Sequence, residues 1–179
     1  MKTPHLFPFL RILVSKSKHL PSMPLGKSYK SNKVIGSADE KTQLALLDVL
    51  SKRSNPNSAA QIFNLLNSSN STVKAAAYTA LPNVVNDNDF DKIIEVLGKA
   101  DAKDVNAAQK AAIVALQNNA DKANIVKRLS ANISRSLAPS SARYFPIFAG
   151  EGSDESLKTI KNYIGQDNPL RADAIKALA

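Results

Sequence analysis

Val73-Lys74-Ala75-Ala76-Ala77-Tyr78-Thr79-Ala80-Leu81 returns near the other end of the chain as Leu170-Arg171-Ala172-Asp173-Ala174-Ile175-Lys176-Ala177-Leu178. The shared order is apolar, basic, Ala, any, Ala, any, any, Ala, Leu. Each copy follows an apolar run with helical spacing and a short polar turn. Internal repetition on this scale marks an array of stacked supersecondary units. Small Ala at positions 77, 80, 174 and 177 lets neighbouring helices approach closely, and Leu81 and Leu178 close the apolar stripe of each copy.

Working outward, periodicity begins near Ala38. Residues 39–53 place Leu44, Leu47 and Leu50 on one helical face, widened by Leu46 and Val49. Asp39 and Glu40 in the first turn and Lys52 and Arg53 in the last suit the helix dipole. Four helix pairs follow. The first combines Ala59–Leu66, burying Ala59, Ile62, Phe63 and Leu66, with Ser71–Val85, burying Val73, Ala76, Ala77, Ala80, Leu81 and Val84. Pro82 predicts a kink or an early end there. The second combines Phe90–Leu97, with Ile93, Ile94 and Leu97 apolar, and Asp104–Asn118, with Ala108, Ala111, Ala112, Ala115 and Leu116 inward. The third combines Lys122–Ile133, carrying Ile125, Val126, Leu129 and Ile133, with Ser140–Ala149, carrying Tyr144, Phe145, Ile147 and Phe148, and Pro146 predicts a second kink. Ser153 caps the fourth pair, Asp154–Ile164 and Pro169–Ala179, where Asn168-Pro169 reads as a helix start. Leu81, Leu116, Phe148 and Leu178 then end the four second helices at spacings of 35, 32 and 30 residues. No sustained alternation and no hairpin dipeptide suggests a strand. The expected fold is all-α, an α-α superhelix of about four helix pairs. Ala179 falls inside the last helix without a stop signal, so the array reads as cut off at an unfinished edge.

Composition agrees. Hydrophobic residues make up 44% of the 179, which permits a core, and much of that is Ala, which favours helices. The absence of Cys excludes disulfides, thiolate zinc sites and Cys nucleophiles. No apolar run approaches the length of a membrane-spanning helix.

The net charge of +9 suggests nucleic acid at first. Its location argues otherwise. Residues 1–37 hold Lys2, Arg11, Lys16, Lys18, Lys27, Lys30 and Lys33 and no acid, which leaves 17 basic against 15 acidic residues over 38–179. A basic leader precedes a nearly neutral body. Leu6-Phe7-Pro8-Phe9-Leu10-Arg11-Ile12-Leu13-Val14 resembles a secretion signal, but Arg11 interrupts it and no clean cleavage pattern follows. With Pro21, Pro24 and Gly26, residues 1–37 read as a disordered basic leader.

The pattern over 38–179 is similar to HEAT repeats of the short, PBS-lyase-like kind. Val73-Lys74 and Leu170-Arg171 stand where that family usually has Val-Arg, and Ala80-Leu81 and Ala177-Leu178 where it has Ala-Leu. The middle units depart from it: Ala108-Gln109 replaces Val-Arg, and Tyr144–Phe148 keeps only the bulk. Leu46–Arg53 and Tyr144–Gly150 also resemble HEAT segments of secreted or periplasmic bacterial proteins, some joined to 3-keto-disaccharide hydrolase domains or c-type cytochrome modules. That resemblance implies an armadillo-like solenoid, a protein-binding role and an extracytoplasmic place, although a cytoplasmic one fits the composition equally. It also admits an accessory segment of a larger carbohydrate-active hydrolase. No Cys-x-x-Cys-His haem motif is present.

Catalytic material is sparse. His5 and His19, the only histidines, lie in the leader. A nucleophile–base pair in the body would need Lys, Asp or Glu. Asp87, Asp89 and Asp91 lack the Gly and terminal Glu of a calcium loop and read as helix caps. Gly150-x-Gly152 lacks the following Lys-Ser/Thr of a phosphate loop. No cofactor, metal or small-molecule substrate is indicated. Lys74, Arg143 and Arg171 recur near the starts of second helices. They are either a basic ladder contacting an acidic partner or hydrogen-bond donors that order the stack. The expected function is a non-enzymatic scaffold for a protein partner. A nucleic-acid-binding repeat, as in alkylpurine glycosylases built this way, needs a strongly basic body, which this chain lacks.

Overall fold

The computed structural model describes residues 35–117, 119–135, 139–165 and 167–179. These belong to one compact unit, Ile35–Ala179. The leader sequence up to residue 34, with His5 and His19, lies outside the described residues. Nine α-helices and no strand occur among the described residues: α1 Glu40–Arg53, α2 Ala59–Leu65, α3 Ser71–Ala80, α4 Phe90–Lys99, α5 Val105–Gln117, α6 Lys122–Arg135, α7 Phe145–Glu151, α8 Asp154–Lys161 and α9 Arg171–Leu178. The protein is all-α.

Local chemistry sets the boundaries. The Asp39 carboxylate accepts from Thr42 N at 2.8 Å and starts α1. Ser54 ends it in the left-handed region (φ 46°), a conformation more often given to Gly or Asn. Asn70 Oδ1 accepts from Thr72 N and Val73 N and starts α3. Asn86 and Asp89 form a reciprocal capping box ahead of α4. Pro82 ends α3 early: the helix stops at Ala80 and a 3-10 turn covers Leu81–Asn83. Pro146 does something different from the expected kink. Residues Pro139–Tyr144 form a 3-10 segment, and α7 starts afresh at Phe145, so Pro146 falls in a first turn, where no amide donor is needed. Asn168 likewise stops short of capping a helix at Pro169. Its Oδ1 accepts from Leu170 N at 2.9 Å, which closes a turn, and α9 begins at Arg171.

The helices pack in chain order. α3 contacts α1, α5 contacts α3 and the Leu81–Asn83 turn, α7 contacts α5, and α9 contacts α7. α2 lies on α3, α4 on α5, and α8 on α6, α7 and α9. Ala108, Ala111, Ala112 and Ala115 are fully buried along α5, so its neighbours sit close to its backbone. α5 and α7 approach closely at Gly150, where an added Cβ would lie 2.7 Å from Ile113 Cδ1. Bulkier side chains, Ile62, Phe63, Phe90, Ile93, Ile125, Val126 and Leu129, fill the space under α2, α4 and α6. Ile35 is also buried, and its carbonyl accepts from Gln43 Nε2. Ile35 thus packs with the body, although it falls within the stretch 1–37 that reads as a leader from sequence.

A polar clip fixes the α7–α8 junction. Glu151 Oε2 accepts from Ser156 Oγ at 2.6 Å and from Ser153 N at 3.0 Å, beside Gly152 in the left-handed region. Burial raises the Glu151 carboxyl, but the hydrogen bonds from Ser153 and Ser156, assisted by the Lys122 charge, outweigh it and leave the carboxyl below its ordinary value. A depressed carboxyl stabilises the fold above its unfolded value, and that contribution is lost as pH falls through the folded value. Glu151→Gln should therefore be less stable than the parent at neutral pH. The gap should close on acidification below about pH 4, as followed by urea denaturation across pH.

Candidate functional site

The three basic residues singled out from sequence do not gather into one patch. Lys74, on α3, reaches across to the next pair, where its Nζ lies 2.7 Å from Asp101 Oδ2. That hydrogen bond raises the ammonium and lowers the Asp101 carboxyl. Arg143, in the 3-10 segment before α7, reaches back to the same connection. Its Nη1 donates to the carbonyls of Leu97 (3.0 Å) and Ala100 (2.9 Å), with Gly98 at 3.4 Å. These carbonyls lie at and just past the end of α4, where the helix ladder runs out; the Leu97 carbonyl also accepts from Ala100 N at 3.3 Å. Lys74 and Arg143 thus hold the α4–α5 connection from the pairs before and after it. Arg171 stays within its own pair, donating from Nε to the Ile164 carbonyl at 3.0 Å.

Sequence reading missed the residues that complete this stitching. Gln109, 9% exposed, donates from Nε2 to the Arg143 carbonyl at 2.8 Å. It occupies the position that Lys74 and Arg171 occupy in their copies, which was the one available signal. Asn83 Nδ2 donates to Ser51 Oγ, and Asn119 Nδ2 to the Asp87 carbonyl. Ser130 and Thr159 bond across α6 and α8 at 3.0 Å. Arg143→Ala removes a charged donor from part-buried carbonyls and should cost about 1.5–3 kcal/mol in urea denaturation. Arg143→Lys should recover only part of this, because a single ammonium does not reproduce the guanidinium fork.

Asp104, 4% exposed at the head of α5, has a buried Oδ2 without a hydrogen-bond partner. Its charge acts on Lys74 and on Tyr78, whose hydroxyl is raised chiefly by burial. The other acids suspected from sequence are engaged locally: Asp89 in the capping box, Asp87 with Asn88 N, and Asp91 with Arg128 Nη2 at 2.9 Å. No group of three or more His, Cys, Asp or Glu able to hold a metal occurs among the described residues. None of the described helices is long and apolar enough to cross a membrane.

A concave feature among the described residues lies between α4 and α6. Phe90, Asp91 and Ile94 form one wall and Ile125, Arg128, Leu129 and Ala131 the other, around about 480 Å3. The walls carry larger side chains than the Ala-rich α5, which packs chiefly on α4, the Leu81–Asn83 turn and α7. The polar link between the walls is the Asp91–Arg128 pair at the mouth, with side chains 79% and 61% exposed. No protein-family model, no curated protein and no solved structure matches this chain.

Proposed function

We propose that this chain is a non-enzymatic scaffold of the HEAT-like, armadillo-like kind, a right-handed superhelix of about four helix pairs that presents an extended surface to a protein partner. The observation that carries the reading is the order of contacts. α3, α5, α7 and α9 each meet the second helix before them, and the polar ties run mainly between neighbouring pairs. An assembly of nearest-neighbour contacts derives its stability from local terms and leaves long outer faces available for binding. The bonds of Lys74 and Arg143 across pairs support a stacking role for those two, and Arg171, exposed, ties only its own pair through the Ile164 carbonyl. The near balance of charge over 38–179 supports a protein partner over nucleic acid. The test is affinity capture with the full chain, followed by reconstitution from purified components. The expected result is a stoichiometric complex in sedimentation. Substrate turnover by the purified chain alone would sink the reading.

A further inference from the structure

We infer that a second copy of this chain docks on α9, the two α9 helices packing antiparallel about a two-fold axis near Ile175. Ile175 and Leu178, 44% and 38% exposed, are the large apolar side chains exposed among the described residues, and both lie on α9. A single exposed apolar residue is ordinary. These two differ by their register. Three positions before Leu81, Leu116 and Phe148 stand Tyr78, Ile113 and Phe145, so Ile175 and Leu178 form the fourth such pair. The three earlier pairs are covered by the second helix that follows each. Leu81 lies under α5, and Tyr78 is buried near Asp104 at the head of α5. Leu116 is fully buried, and Ile113 meets α7 at Gly150. Phe145 and Phe148 are fully buried on the helix that α9 contacts. The bare α9 stripe therefore continues the contact surface that builds the stack. It fits what covers the others, a helix that brings small residues, as α5 does with Ala111 and Ala112 and α7 with Gly150.

α9 supplies such a helix itself. Ala172 and Ala179, three residues before and four after Ile175, are exposed on the same flank. A two-fold axis at Ile175 brings Ile175 onto its copy, Ala172 onto Leu178 of the second copy, and Leu178 onto Ala172 of the second copy. Small residues then face large ones, as they do within the stack. Charge selects the same direction. Arg171 opens α9, where a cation opposes the helix dipole, and its Nε is held by the Ile164 carbonyl. Antiparallel pairing sets that guanidinium beside the C-terminal end of the other α9, where a cation is favoured. A parallel pair would set Leu178 on Leu178 and bring the two Arg171 side chains together. One short helix from each copy buries little surface, so the dimer is of the weak, concentration-dependent class.

The test is sedimentation equilibrium of the full chain from about 10 μM to about 1 mM, with cysteine cross-linking to fix the register. The mean mass should climb toward that of a dimer over this range. Ile175→Glu, at an exposed position, should raise the dissociation constant about tenfold or more. Lys110→Glu, exposed on α5, should leave it unchanged. The chain has no cysteine, so introduced thiols report without background. Under oxidation, Ala172→Cys mixed with Leu178→Cys should give disulfide-linked dimers several-fold faster than either variant alone. The antiparallel register brings 172 to 178 and keeps like positions apart. A chain that stays monomeric at about 1 mM overturns the inference and leaves the scaffold reading standing. Association that Ile175→Glu leaves intact overturns it too, since another surface then carries the contact. Cross-linking of each variant alone as fast as of the mixture overturns the antiparallel pairing and the inference with it.

Discussion

Phe145→Ala should lower the unfolding free energy by about 3–5 kcal/mol, among the largest effects of any single substitution in this protein. Phe145 is fully buried and opens α7, the helix that touches α5, α8 and α9. Its ring centroid lies 5.2 Å from that of Tyr163 at a tilt of 52°, within the contact range of aromatic pairs. Truncation leaves a cavity where three helices meet, and the surroundings cannot close it. Its neighbours Phe148 and Tyr163 are themselves buried and held in place by the surrounding helices. In a domain of this size the loss corresponds to a fall in Tm of about 10 °C, measurable by thermal and urea denaturation. Phe145→Leu keeps much of the volume and should retain most of the stability. A change below about 1 kcal/mol for the Ala variant would mean that α7 is peripheral and that the packing order is misassigned.

Phe145 also marks how far sequence reasoning reaches. Its burial was legible because Phe145, Ile147 and Phe148 repeat the apolar bulk of a second helix. Likewise, all five inward positions proposed for α5 are fully buried, and so are Ile62, Val73 and Ile93. Periodicity works there because a helix commits each face over several turns. It fails at ends, where one hydrogen bond decides. Asn168 closes a turn instead of a helix, and Tyr144 belongs to a 3-10 segment. It also fails for Tyr78, buried to 4% although the block gives its position no preference: Tyr78 in one copy, Ile175 in the other.

The candidate surface was less legible than the core, for a physical reason. The partners of Lys74, Gln109 and Arg143 lie 27 to 46 residues away, so nothing local to each residue announces them. The groove is walled by residues of two helices, Phe90 to Ile94 and Ile125 to Ala131, so no single stretch of sequence carries it. Arg143 resembled Lys74 and Arg171 only by lying near a helix start. Counted back from Phe148, the position equivalent to Lys74 is Ser141, itself buried to 3%.

The two copies of the nine-residue block allow the same substitution to be made twice with opposite expectations. Leu81 and Leu178 are equivalent in sequence, yet Leu81 is fully buried and Leu178 is 38% exposed. Leu81 lies under α5, which crosses the Leu81–Asn83 turn. Leu81→Ala removes contacts on all sides and should cost about 2–5 kcal/mol, whereas Leu178→Ala should cost under about 1 kcal/mol. Ala80 and Ala177 should diverge in the same sense. Ala80, 3% exposed, meets close neighbours, so Ala80→Leu should cost about 1–3 kcal/mol by overpacking. Ala177 is only half-buried, and its larger replacement has space to turn outward. Urea denaturation of the four variants distinguishes two accounts of the block. If each copy were stabilised by its own helix, the paired substitutions would cost alike. If the second helix of the following pair supplies the burial, only the first copy will be sensitive. That asymmetry follows from a stack in which each apolar stripe is completed by its neighbour, and equal losses at Leu81 and Leu178 would contradict it.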